Sequence, residues 1–192
     1  MADIIDSKEF MSRLVHSAIA CIRCVECFNA CFQKDLEFLK FSRNCFGELA
    51  AIHWCTLFGA WSEETHFKKF FALDDVKALR DGLDPAYAKK VILESSKISD
   101  KEYNNLRKEI TEFRNNYAAH RGNVSNVHFP DINKCEIMCI CLIALIKDIL
   151  INAPEESKRN YNEWLGYFAH QGDPESVQQH IRRAIEKTEF LI

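Results

Sequence analysis

The chain has 192 residues, 47% hydrophobic and 28% charged, with only 6 Gly and 4 Pro. That length suits one domain with a sizeable core, and so few turn formers favour a few long helices over many short strands. A net charge of −3 and a pI of about 6.2 argue against nonspecific coating of duplex DNA, which calls for a basic protein, while a local phosphate site stays compatible with that balance.

The first helix is expected from Ser7 to Phe41, because Leu14, Val15, Ala18, Ile22, Val25, Phe28, Phe32, Leu36 and Leu39 recur at helical spacing. Ser42 to Gly47 reads as a break. A second helix then runs from Glu48 to Trp61, and Ser62-Glu63-Glu64 reads as a boundary. His66 to Gly82 predicts one or two short helices. Asp84-Pro85 opens the next one, with Asp as cap and Pro in the first turn, and it ends near Ser95. Ser99-Asp100-Lys101-Glu102 has the form of a capping box. It starts a helix with Tyr103, Leu106, Ile110, Phe113 and Tyr117 on one face, which Gly122 terminates. Asn123 to Pro130 is a short connection. An apolar helix follows from Asp131 to Ile151, stopped by Pro154, and two shorter helices are expected at 156–170 and 174–190. The fold class is all-α: a helical bundle over residues 1–152 with a C-terminal helical extension, 153–192, packed on it.

Nine cysteines make an odd and large number for a disulfide framework. Met1 leads into Asp3 and Asp6 rather than a basic segment, and the longest apolar run, Ile137 to Ile146, is too short to span a bilayer. The expectation is a cytoplasmic protein with reduced thiols and no membrane partner.

Chemistry concentrates in Phe113-Arg114-Asn115-Asn116-Tyr117-Ala118-Ala119-His120-Arg121-Gly122. Arginine is a permanent cation that forks onto phosphate oxygens, and histidine moves protons near neutral pH. On an ideal α-helix Arg114 and His120 stand about 120° apart around the axis and about 9 Å along it, with Tyr117 on the arginine's face. Arginine and histidine near a helix C-terminus also offset the helix dipole, which is the purely structural reading of the same residues.

This segment resembles the HEPN (higher eukaryotes and prokaryotes nucleotide-binding) superfamily of helical bundles. The hallmark there is Arg, often followed by Asn, Asp or His, then His after four to six intervening residues. Arg114-Asn115 and His120 fit with five intervening residues. The wording Arg-Asn-x-x-x-Ala-His-Arg, with the upstream Trp54-Cys-x-Leu-Phe-Gly59, is most similar to the AbiU-type abortive-infection branch, over residues 5–152.

The resemblance implies a metal-independent ribonuclease, without a cofactor, in a toxin or phage-defence setting. It implies a homodimer in which paired motif helices line one composite groove. Arg114 would hold the phosphate, His120 would act as general base or acid, and Asn115 would orient one or the other. Lys108, Tyr117 and Arg121 would contact the RNA. An antitoxin or regulatory protein is a possible further partner. Relatives paired with a nucleotidyltransferase carry a modified Tyr two residues after the His; Gly122 stands there, so silencing by nucleotide transfer is not implied. The alternative is a HEPN bundle that binds a nucleotide or protein without turnover.

Other constellations compete. Cys21, Cys24, Cys27 and Cys31 have the spacing of a ferredoxin run, but their fillers lack the Gly and following Pro of a cluster loop, so a helical packing stripe is expected. Cys135, Cys139 and Cys141 read as core filling, and a zinc site from Cys139 or Cys45 with His53 has no paired spacing. His53-Trp54 and Trp61 are expected to pack on the first helix, with a wall of the dimer groove as the other possibility. His128 reads as an exposed loop histidine, Arg182-Arg183 as a solvated face, and Lys68-Lys69 beside Phe70-Phe71 as the wet and buried sides of one helix. No phosphate-cradling Gly loop, G-x-S-x-G or H-E-x-x-H is present.

Overall fold

A computed structural model describes residues 6–31, 37–118 and 129–170, and these are all-helical with irregular connections. Helix α1 spans Ser7–Ala30 and opens on Asp6, whose carboxylate accepts from the Lys8 amide. Its buried stripe, Phe10, Met11, Leu14, Val15, Ala18, Ile19, Cys21, Ile22, Val25 and Phe28, follows the three-and-four spacing of an amphipathic helix. Helix α2 spans Glu37–Phe58 and lies along α1.

This corrects two expected boundaries. Helix α1 ends at Ala30 rather than Phe41, and Ser42 to Gly47 is uninterrupted helix within α2. The reason for the second lies in Gly47. A Cβ there would stand 2.3 Å from the Phe129 ring and 3.1 Å from that of Phe28. The glycine is present for close approach, not for a turn. Phe28, Phe129 and Phe113 form a continuous aromatic contact against it, with centroids 5.4 and 4.7 Å apart.

Two single-turn helices, α3 (Phe67–Phe70) and α4 (Asp74–Lys77), fill the His66–Gly82 stretch. Helix α5 (Pro85–Ser96) is capped by Asp84, whose carboxylate accepts from the Tyr87 amide at 2.6 Å, and it ends on Lys97 in the left-handed region at φ 56°. Helix α6 (Asp100–Phe113) starts at the expected capping box: Ser99 Oγ accepts from the Glu102 amide, and the Glu102 carboxylate accepts from the Ser99 amide. Tyr103, Leu106, Ile110 and Phe113 form its buried face.

Helix α7 (Ile132–Asn152) is the apolar centre of the bundle, packed against α1, α2 and α5. Beyond Pro154, α8 (Glu155–Lys158), a 3-10 turn (Arg159–Tyr161) and α9 (Asn162–His170) return toward the N-terminus. There Ser7 Oγ hydrogen-bonds Tyr161 Oη at 3.0 Å, and Trp164 meets His16 edge-on. The helix expected at 174–190, with Arg182-Arg183, lies outside the described residues. No helix of the described chain is long and apolar enough to cross a membrane.

An aromatic run leads from the core to the surface. Trp54, Phe58, Phe67, His66 and Trp61 follow one another with ring centroids 5.4, 5.2, 5.1 and 5.6 Å apart. Trp54 is fully buried, whereas Trp61 is 56% exposed. Trp61 therefore does not pack on α1 as expected: α2 ends at Phe58, and the chain turns before reaching it.

Alanine is the better helix former by about 1 kcal/mol. Gly47→Ala should nevertheless lower stability by about 1–3 kcal/mol, because the methyl has to displace packed phenylalanine rings. Thermal and urea unfolding of the two proteins measure this.

Candidate functional site

Arg114 keeps α-helical backbone angles, φ −55° and ψ −48°, and its N–H still reaches the Ile110 carbonyl, but it opens a wider turn. The α-helix ends at Phe113, and Arg114–Ala118 form a π turn packed on α2. Such widened turns rearrange side chains relative to α geometry and recur at functional sites. The ideal-helix offset between Arg114 and His120 therefore does not carry over, and the helical run expected as far as Gly122 continues through the π turn to Ala118, its stop at Gly122 lying outside the described residues. Ala119, His120, Arg121, Gly122 and His128 lie outside the described residues.

The guanidinium of Arg114 is held on two sides. Its Nη1 donates to Glu63 Oε1 at 2.7 Å, and its Nε donates to Asn115 Oδ1 at 3.1 Å. The two paired side chains are 25% and 28% exposed. This is a short, charge-assisted bond in a partly desolvated place, stronger than a fully solvated surface pair. Its main effect is to raise the Arg114 pKa further, so the group stays a cation throughout. Two of its five N–H groups are thus used, and the others have no partner among the described residues. Asn115 orients the arginine itself, the role the structure shows for its side-chain oxygen.

Glu63 is not distinguishable as a site residue from the sequence. It lies 51 residues from Arg114, in a Ser-Glu-Glu stretch that reads as a helix boundary. Nothing local distinguishes it from Glu64, which is 82% exposed. Behind the pair, the Cys55 thiol is pushed up to about 11 by burial, against the opposing pull of Arg114 and a hydrogen bond with Thr111.

Glu63 also forms one wall of an open groove of about 690 Å³ with Ser12, Arg13, His16, Ser17, Thr56, Ser62, Glu64 and Thr65. Arg13 is already engaged there, by Glu9 at 2.6 Å and Glu64 at 3.8 Å. His16 Nδ1 donates to the Ser12 carbonyl at 2.8 Å.

Lys108 stands about 120° around α6 from Arg114 and lies 3.9 Å from Glu112. Arg107, seven positions before Arg114, shares its face, and a heptad reading of α6 would have found it. Tyr117 falls within the π turn.

The other expected clusters resolve as packing. Cys21, Cys24 and Cys27 lie on continuous helix, with Cys31 as its C-cap. Cys21, Cys55, Cys135 and Cys139 are fully buried, and burial raises their thiol pKa values, together with a Cys139 hydrogen bond at Cys21; they behave as small core residues. Among the described residues no three His, Cys, Asp or Glu side chains come together in a way that could hold a metal ion. Trp54 is core, and burial lowers the pKa of the half-buried His53. Phe70 and Phe71 are buried beneath Lys68 and Lys69, as the wet-and-buried reading of that turn expects. No protein-family model matches this chain, and no curated protein or solved structure matches it either.

His66 caps α3. Its Nδ1 accepts from the Lys68 amide at 3.2 Å, and burial together with Lys68, Arg107 and Lys69 holds its pKa down at about 4. As pH falls, the unfolded chain binds this proton first. The stability His66 supplies is therefore whole above about pH 6.5 and is lost as pH drops toward 4. The expected loss is about 3 kcal/mol. His66→Asn, which keeps a capping oxygen, should remove this component when chemical denaturation is compared at pH 7 and pH 4.5.

Proposed function

We propose that this chain is a HEPN-type endoribonuclease that acts on single-stranded RNA as a homodimer, without a metal ion. The observation that carries the reading is the seat of Arg114. A permanently charged guanidinium is oriented by Glu63 and Asn115 at the end of the motif helix, with donor groups to spare.

In this reaction the ribose 2′-hydroxyl attacks the adjacent phosphorus and the bond to the 5′-oxygen of the next nucleotide breaks. The 2′-hydroxyl proton leaves to a base, and the departing oxygen takes up a proton. His120 serves one of these transfers. Arg114 faces the non-bridging oxygens, where charge grows. The products are a 2′,3′-cyclic phosphate and a 5′-hydroxyl.

The same resemblance assigns contacts with the RNA to Lys108, Tyr117 and Arg121. Phe41, Leu49 and Ile52 form an exposed apolar stripe on α2 and give a dimer area to bury. A toxin or phage-defence role in the cytoplasm, held in check by an antitoxin or regulatory protein, follows from the same resemblance.

One observation favours a second reading, a bundle that binds without turnover: Glu63 already neutralises Arg114. RNA incubated with the pure protein in EDTA separates the two. Cleavage to 2′,3′-cyclic phosphate ends is expected. Arg114→Ala and His120→Ala should each slow it by about 10²- to 10⁴-fold. Intact RNA across several single-stranded substrates would leave the binding module as the function.

A further inference from the structure

We propose that the corner formed by Trp61, His66 and Lys69, continued past Arg107 into the groove between α3 and α5, is a docking track for single-stranded RNA. The inference rests on the ribonuclease reading for the identity of its polynucleotide and adds where the strand lies beyond Arg114.

The observations are geometric. Trp61, two residues from Glu63, is largely exposed, with the His66 ring centroid 5.6 Å away and Lys69 Nζ 5.9 Å from its own centroid. An exposed ring backed by a second ring and flanked by a cation is what an unpaired base stacks on.

Beyond it lies a groove of about 630 Å³, where four lysines, Lys68, Lys89, Lys90 and Lys97, face two carboxylates, Glu94 and Asp100. Its floor includes Pro85, Leu93 and Ile98. Asp100 pairs with Lys89, and Glu94 lies 3.9 Å from Lys90. Asp100 also attracts Lys68, without a contact within 4 Å, and Lys97 has no carboxylate within that distance among the described residues. In a chain of net charge −3, this is a local segregation of positive charge.

Lys89 Nζ also lies 5.2 Å from the Tyr103 ring centroid, on the face of α6 that carries Arg107. Arg107 then stands two turns, about 10.5 Å, from Arg114 along α6. A strand held at Arg114 therefore meets a second cation on the same helix face, an aromatic platform and a lysine-lined groove.

The electrostatics agree. Burial and the nearby Lys89 and Arg107 lower the pKa of Lys68 against the smaller opposing pull of Asp100, and a phosphate would relieve the cation–cation repulsion. His66 is neutral near pH 7 and backs Trp61 as an uncharged ring.

Fluorescence anisotropy with a labelled, fully 2′-O-methylated oligoribonucleotide measures binding without cleavage. Trp61→Ala should weaken it by about tenfold. The Lys68→Ala/Lys89→Ala double variant should weaken it and flatten the slope of log K against log salt by about 0.7 per charge removed. Lys77→Ala, on α4, should bind like the parent. Trp61 and Lys77 are exposed and Lys68 and Lys89 part-buried, and circular dichroism melts check the fold. A parent that does not bind, a Trp61→Ala variant that binds like the parent, or an unchanged salt slope in the double variant overturns the proposal. Cleavage in EDTA with unchanged KM in Trp61→Ala sinks the track and spares the ribonuclease. Binding that depends on Trp61 without any cleavage spares the track and sinks the chemistry.

Discussion

The carboxylate of Glu63 decides where the guanidinium of Arg114 sits. Without it, a long arginine at the end of a helix samples many rotamers, and holding one for catalysis costs side-chain entropy. With both partners about three-quarters buried, the pair sets one position before any ligand arrives. Arg114 closes the α-helical part of α6 and opens the π turn that packs onto α2. The same bond has a cost for phosphate binding, since a carboxylate next to an anion site repels the incoming charge. Orientation and partial neutralisation are two consequences of one interaction.

That interaction depends on how α2 ends. Gly59 N–H bonds the Cys55 carbonyl at 2.9 Å, and a Cβ on Gly59 would stand 2.4 Å from that same oxygen. Only glycine leaves the helix along this path. Tyr103 Oη donates to the Phe58 carbonyl at 3.2 Å and ties the end of α2 to α6. The turn that follows carries Trp61, Glu63 and His66 out of the aromatic run rooted at Trp54. The anchor of Arg114 and the exposed ring of Trp61 are thus products of one short connection. Its stiffness comes from buried aromatic packing, not from regular secondary structure.

Where local chemistry dictates structure, the sequence was readable. Asp84-Pro85, the Ser99–Glu102 box and the apolar run opened at Asp131 each give the observed helix start within a residue or two, because capping and periodicity act over one or two turns. Gly47 misled for a tertiary reason: its role is contact with Phe28 and Phe129, and no local pattern separates a contact glycine from a breaker. The widening of the motif helix to a π turn over Arg114–Ala118, packed against α2, has no local sequence signature. In the site, Arg114 and Asn115 stood out by residue type, while Glu63 is set by long-range folding alone. Arg107 is legible from helical spacing, seven residues before Arg114, whereas Lys108 lies about 120° away around α6.

Nitrogen-15 NMR of the arginine side chains during titration with a 2′-O-methylated RNA tests most directly whether Arg114 meets phosphate. The Arg114 Nε–H resonance, assigned with Arg114→Lys, should shift with saturation, and its exchange with solvent should slow as a second anion engages the fork. A resonance that stays in place while the RNA binds elsewhere would contradict the assignment of this guanidinium as the phosphate grip.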